Sequence, residues 1–376
     1  MAAFVLNYFF LFATAAVFYP YFQLFLKARG FSLSQLGVLL AATQLAGIIG
    51  PLLLGRASDK TGRSRLILIF CVSASVLVLV PLNFTNRFAA FVPLVILVGM
   101  SYYSLIPLTD ALSNRMLSDP DKNWGRARLF GTISFILVSL LYRFSHLIDG
   151  SSSRSILVNQ AVLSVIYFGS LFLLPGRTDT EDETLHLAGG RELGKTFWLG
   201  IGIIFLAAFS SSSYLSFLSL YLNQSLGISN VSGMYALSAL VEMPVFYYAG
   251  HLIRRFGLRR MFLTSFTAIV VRLLLYAVFP SRPAIIVAQL LHGFTFALFH
   301  ATAVRYVSRI AGRRHIGVGM TIYSALGNGL ALFFGSLIGG YIIEAIGFQL
   351  FYALYTLPVL LAIIILAARG KRIGIP

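Results

Sequence analysis

The sequence predicts an all-α membrane protein with twelve transmembrane helices in two pseudo-symmetric six-helix bundles. Three observations carry this. Apolar residues make up 58% of the 376, charged residues only 11%, and the mean hydropathy is +0.86. A soluble domain cannot bury that much apolar surface, so lipid is the solvent for most of the chain. The apolar residues fall in runs of spanning length between short polar turns. Finally, one glycine-bounded basic turn, Gly55 to Arg65, returns 195 residues later as Gly250 to Arg260. Both copies have a charge at the fifth position (Asp59, Arg254), a basic residue next (Lys60, Arg255), a glycine two further on (Gly62, Gly257) and a basic residue at the end. A repeat of that spacing marks a chain made of two halves.

In order, the runs cover roughly 3–26, 35–55, 66–82, 88–113, 128–148, 155–175, 196–222, 230–253, 261–279, 284–308, 317–346 and 348–368. They are expected to be helices, because only a helix satisfies its own backbone within lipid. No basic segment precedes the first run, which therefore reads as a retained span and not a cleaved signal. The single cysteine, Cys71, lies in an apolar run and reads as a plain core thiol.

A formal charge of +17 raises the possibility of nucleic acid. The basic residues, however, sit in the short turns and not on one domain, which excludes that class. If both termini are cytoplasmic, 22 of the 29 Lys and Arg fall on the cytoplasmic side and six on the other, with Arg272 inside a span. That asymmetry sets the expected orientation. The longest polar segment holds Asp179, Glu181, Asp182, Glu183 and Glu192. It divides the chain into a bundle over 1–175, a cytoplasmic linker over 176–195 and a second bundle over 196–376. A plain solvated loop is the simpler reading of the linker itself.

Six helices, a linker, six helices and a Gly-x-x-x-Asp-Lys-x-Gly-Arg turn between helices two and three resemble the major facilitator superfamily, over the whole chain. The resemblance implies two bundles that rock about a central site near the bilayer midplane. A narrower likeness, to the phenylpropionate-permease group and its neighbours lactose permease and the nucleoside–proton symporters, rests on three stretches. These are Leu108 to Ser113 followed by Gly125 to Gly131, then Val241-Glu242-Met243, and the helix-ten run from Gln289 through His292 to His300.

An ionisable group at the bilayer centre costs at least about 2.5–3.5 kcal/mol, so each needs a reason. Glu242 on helix eight, Arg272 on helix nine, and His292 and His300 on helix ten stand out. Asp110 near the end of helix four and Arg128 at the start of helix five come next. The functional reading is a substrate and proton site, with Arg272 beside Glu242 keeping that carboxylate ionised. The competing reading is a structural ion pair, with the histidines as satisfied helix contacts. By resemblance to lactose permease, Asp110, Arg128, Glu242, Arg272 and His292 match its charged site on helices four, five, eight, nine and ten. Thr295 departs from it, standing where that permease has the glutamate that releases the coupled proton. Glu242 is the replacement candidate for that role, with Asp110 and His292 after it.

Helix seven adds Ser210 to Ser213 and, at helical spacing, Tyr214, Phe217 and Tyr221. Such a stripe is more often packing than a site, and the serines also suit close helix contact. The candidate substrate and proton residues are thus Glu242, Arg272, His292, His300, Asp110, Arg128, Tyr214 and Gln289. The resemblance further implies that Gly55, Asp59, Lys60, Gly62 and Arg63 form a conformational latch, Asp59 resting on the N-terminus of a cytoplasmic helix such as helix eleven. No phosphate-binding loop and no cysteine or histidine metal spacing occurs. No cofactor is expected, and the partners are a small solute, protons and the bilayer.

The expected function is proton-coupled symport of a small organic solute, an aromatic carboxylate first, by a monomer in a bacterial-type cytoplasmic membrane. Sugars, nucleosides and proton-antiport export remain as alternatives; an exporter is disfavoured because the stretch from Arg128 to Ile148 has only Gly131 and no proline. An enzyme is not expected, since no catalytic constellation is visible.

Overall fold

The computed structural model describes residues 1–176, 193–370 and 374–375, without the side chains of 120–122 and 313–314. The acidic residues of the expected linker, from Asp179 to Glu192, lie outside this range. Among the described residues every regular element is a helix, and ten stretches are long and apolar enough to cross a membrane. Two of these, Ser232–Val278 and His315–Arg369, are interrupted by a glycine at positive φ, Gly257 at 78° and Gly347 at 79°. Only glycine takes that conformation freely, and the ten stretches thereby become the twelve expected.

Helices one to seven are Ala2–Ala28, Leu33–Thr61, Ser64–Phe84, Phe88–Met116, Pro120–Ser145, Ser153–Leu171 and Lys195–Leu226. Helices eight and nine are 232–256 and 258–278, helix ten runs from Arg282 to the break at Gly312, and helices eleven and twelve meet at Gly347. Their ends follow local chemistry. Ser32 and Gln35 exchange side-chain and backbone hydrogen bonds as a capping box at the start of helix two. Gly62, at φ 63°, closes that helix by donating its N–H to the Ser58 carbonyl. Helix five begins at Pro120, eight residues earlier than hydropathy implies, because Asn123, Arg126 and Arg128 interrupt the apolar pattern without breaking the helix.

The internal contacts define two compact units, Met1–Thr184 with Ile228–Ala236, and Leu185–Gly227 with Leu237–Pro376. In the first, helices two and four cross closely. A Cβ on Gly50 would overlap the Met100 carbonyl, and one on Gly99 the Thr43 carbonyl. The first turns of helix eight belong to this unit. Ser232 bonds to Tyr21, and Asn230 Nδ2 donates to the carbonyls of Tyr142 at 2.9 Å and Arg143 at 3.2 Å. In the second unit the serines of helix seven serve close packing. Ser216 Oγ meets Ser336 Oγ at 2.7 Å, and Ser210 Oγ accepts the Val359 N–H at 3.1 Å.

Candidate functional site

In the second unit, helices seven to ten bring five of the candidates together. Arg272 is the centre and is only 1% exposed. Its Nε donates to Tyr276 Oη at 2.9 Å, one Nη to Gln289 Oε1 at 3.0 Å, and the other to Thr295 Oγ1 at 2.9 Å and to His292 Nδ1. Its carbon lies 4.0 Å from the centre of the Tyr214 ring, a cation–π contact. The far side of the imidazole completes the chain, with His292 Nε2 2.7 Å from Glu242 Oε1.

The direct Glu242–Arg272 pair expected from sequence is corrected here, because His292 stands between them. A guanidinium can only donate, so Nδ1 accepts, and Nε2 carries the hydrogen that Glu242 accepts. The imidazole is neutral and its tautomer is fixed from both sides. Thr295 gives Arg272 a neutral acceptor in place of a carboxylate. The groups that bond to the guanidinium are therefore uncharged, and the Glu242 carboxylate is joined to it through one ring.

The backbone contributes to this arrangement. Helix ten changes from α to π geometry over Gly293–Leu298, a feature common at functional sites. Eight residues of unbroken α-helix would leave His292 and His300 about 80° apart around the axis. A π turn absorbs one residue, about 100°, and brings them nearly into line. Phe296 lies between, its ring at 1° to His292 and 12° to His300. His300 Nδ1 is 2.9 Å from Tyr323 Oη and stays outside the Arg272 cluster. Across from this column Phe246, one turn after Glu242, sets its ring edge-on to Phe296 and His300. Pro244 lacks an N–H, so the helix-eight ladder misses its bond to the Leu240 carbonyl, in the turn that carries Glu242.

Gln289 is 0% exposed, and its amide is used by Arg272, Tyr276 and Ser238. It has no face left for a solute in this structure. Phe217 and Tyr221 are packing residues, Phe217 edge-on to Phe351 and Tyr221 donating to the Tyr276 carbonyl. Tyr214 alone of that stripe reaches the charged cluster.

The first unit holds a separate cluster. One Arg128 nitrogen lies 2.7 and 2.6 Å from the two Asp110 oxygens. Tyr8 Oη donates to Asp110 at 2.6 Å and Trp124 Nε1 at 3.3 Å. The guanidinium also lies 5.6 Å from the Phe12 and Trp124 rings. Since helix five begins early, Arg128 is two turns inside it, and Trp124 lies on the same face. Sequence reasoning missed Trp124, Tyr276 and Ser238. Each stands four residues from a candidate charge (Arg128, Arg272, Glu242), and that spacing is the available signal.

The basic turn also needs correction. Gly62 and Gly257 make the two turns, whereas Gly55 lies inside helix two with open space around it. Asp59 Oδ1 is paired at 2.6 Å with Arg115, near the end of helix four in the same unit. Among the described residues no group of His, Cys, Asp or Glu could hold a metal ion.

Among the described residues, twelve apolar helices in two units, each with ionisable groups joined across helices, make a multi-pass membrane protein. The family model described as "MFS_1 like family" matches residues 2–354, and the chain belongs to that family. It is a transporter and not an enzyme. It is 28% identical over 364 residues to the probable 3-phenylpropionic acid transporter of Escherichia coli, covering 94% of each chain. It is 25% identical to the maltose permease of Geobacillus stearothermophilus, over 99% of this chain and 95% of that one. Among solved structures, a mutant of the nucleoside transporter NupG superposes with a TM-score of 0.87 at 15% identity, covering 98% of both chains. A D-xylose-proton symporter gives 0.68 at 16%, over 96% and 95%. Identities this low speak for the fold alone.

Proposed function

We propose that this transporter is a proton-coupled symporter of a small organic acid, an aromatic carboxylate first, working by alternating access as a monomer. Both termini lie on the cytoplasmic side of a bacterial-type cytoplasmic membrane, as the distribution of Lys and Arg favours. The observation that carries the reading is the Glu242–His292–Arg272 chain. Arg272 is sealed while the Glu242 side chain is 21% exposed, so the carboxylate is the end a proton can reach.

Ionised Glu242 accepts the His292 Nε2 hydrogen. Protonated Glu242 is a weak acceptor and gives up that hydrogen, which a substrate carboxylate then accepts in its place. Proton and anion therefore favour each other's binding, and the pair adds no net charge to the site. Phe246 and Phe296 supply aromatic surface beside it. The Escherichia coli relative, a probable 3-phenylpropionic acid transporter, is named for the same solute class.

The test is uptake of labelled 3-phenylpropionate into proteoliposomes with and without an imposed proton gradient, with uridine and maltose as competitors. Accumulation driven by the gradient and untouched by the competitors is expected. Equal uptake in both conditions would overturn coupling, and transport of uridine or maltose in place of the acid would overturn the solute class.

A further inference from the structure

The hydrogen bonds around Arg272 close on themselves. Ser238 Oγ on helix eight donates to Gln289 Oε1 on helix ten, and the same oxygen accepts from Arg272 on helix nine. Arg272 holds His292 Nδ1, and His292 Nε2 returns to Glu242 on helix eight. The ring thus begins and ends on helix eight, at Ser238 and Glu242. Four residues apart, the two leave the helix on one face, one turn from each other.

The two contacts that tie helix eight into this ring differ in kind. Ser238–Gln289 joins two buried neutral groups, 6% and 0% exposed, and nothing in it titrates. Glu242–His292 has an ionisable acceptor that is partly open. Pro244 cannot donate to the Leu240 carbonyl, so helix eight is free to bend in the turn that carries Glu242, beyond Ser238.

We propose that Ser238 and Gln289 form a fixed pivot, and that Glu242–His292 is the contact helix eight releases about it. Both are positioning residues: they hold the Glu242 carboxylate against the imidazole donor and so set the pH at which it takes a proton. The proposal rests on Glu242 being the proton carrier. When the proton arrives on a Glu242 oxygen, only one link of the ring loses strength. Gln289 still grips Arg272 and Tyr276, the imidazole keeps its tautomer, and helix eight keeps its register through Ser238. Among the described residues of this unit, the titratable or charged groups linked to Glu242 through the ring are His292 and His300 on helix ten, Arg272 and Tyr276 on helix nine, and Tyr214 on helix seven. All belong to the ring, its cation–π cover or the adjoining aromatic column.

An infrared pH titration of the full chain in lipid tests this without a substrate. The probe is the protonated-carboxyl band that Glu242→Gln removes. Loss of the pivot loosens the donor from the carboxylate, and a carboxylate without its donor is protonated at higher pH. Ser238→Ala is expected to move the midpoint of that band upward by about half a unit to one unit. Ser238→Cys, nearly isosteric with a weak donor, moves it in the same direction. Ser238→Thr keeps the hydroxyl and the wild-type midpoint. An unmoved midpoint in both Ser238→Ala and Ser238→Cys overturns the pivot while leaving Glu242 as carrier. If Glu242→Gln removes no titrating band, the carrier reading fails and the pivot with it.

Discussion

His292 Nε2 stands 2.7 Å from Glu242 Oε1, so an imidazole joins the carboxylate of helix eight to the guanidinium of helix nine. A direct ion pair would neutralise itself and hold both helices rigidly. With a neutral ring between them, the guanidinium fixes the tautomer and the carboxylate accepts the hydrogen on the other ring nitrogen.

Arg272→Lys tests the guanidinium end. An ammonium has three donors at one point and cannot reach Tyr276, Gln289, Thr295 and His292 together. The imidazole loses its tautomer lock, and uptake is expected to fall at least about tenfold. Initial rates at equal reconstituted protein measure this. A wild-type rate would place the lock elsewhere.

The Asp110–Arg128 pair of the first unit is partly open, with side chains 24% and 34% exposed. Solvent screening therefore limits its worth, and a coupling of about 1 kcal/mol is expected from a double-mutant cycle with Asp110→Asn and Arg128→Gln. The readout is thermal unfolding in detergent. Additive single effects would show that the two side chains act independently.

Gly50 tests the crossing of helices two and four. A Cβ there meets backbone, which cannot swing aside as a side chain can. Gly50→Ala is expected to destabilise by about 1–3 kcal/mol, read as a lowered melting temperature. Gly55→Ala, on the same helix with nothing within 4 Å, is expected to be neutral or slightly stabilising.

Asp59→Asn is expected to slow transport while leaving solute binding intact, and Arg115→Gln should do the same, because each removes one partner of a 2.6 Å pair. Transport rate and binding by thermal shift are measured on both. Loss of binding in either variant argues against a latch in this turn.

Hydropathy places all twelve helices, because a spanning run is a property of local sequence and needs no partner to be seen. Buried charge is equally local, and so Glu242, Arg272 and His292 are visible as candidates from their surroundings alone. The sites of the two turn glycines follow from the repeat. The exception is the start of helix five, where polar residues hide a helix that the backbone makes anyway.

Which groups meet is a different matter, since it depends on helix faces and crossings. The π turn over Gly293–Leu298 rotates everything after it by about one residue's 100°, and composition does not announce it. That rotation lines up His300 with His292. Helix crossings turn Gln289 inward to Ser238 and set an imidazole where sequence implied an ion pair. Sequence by itself determined the solvent, the spans, the repeat and the charges that need a reason. Tertiary structure alone decided their partners, because a hydrogen bond is fixed by distances of a few tenths of an ångström between helices far apart in the chain.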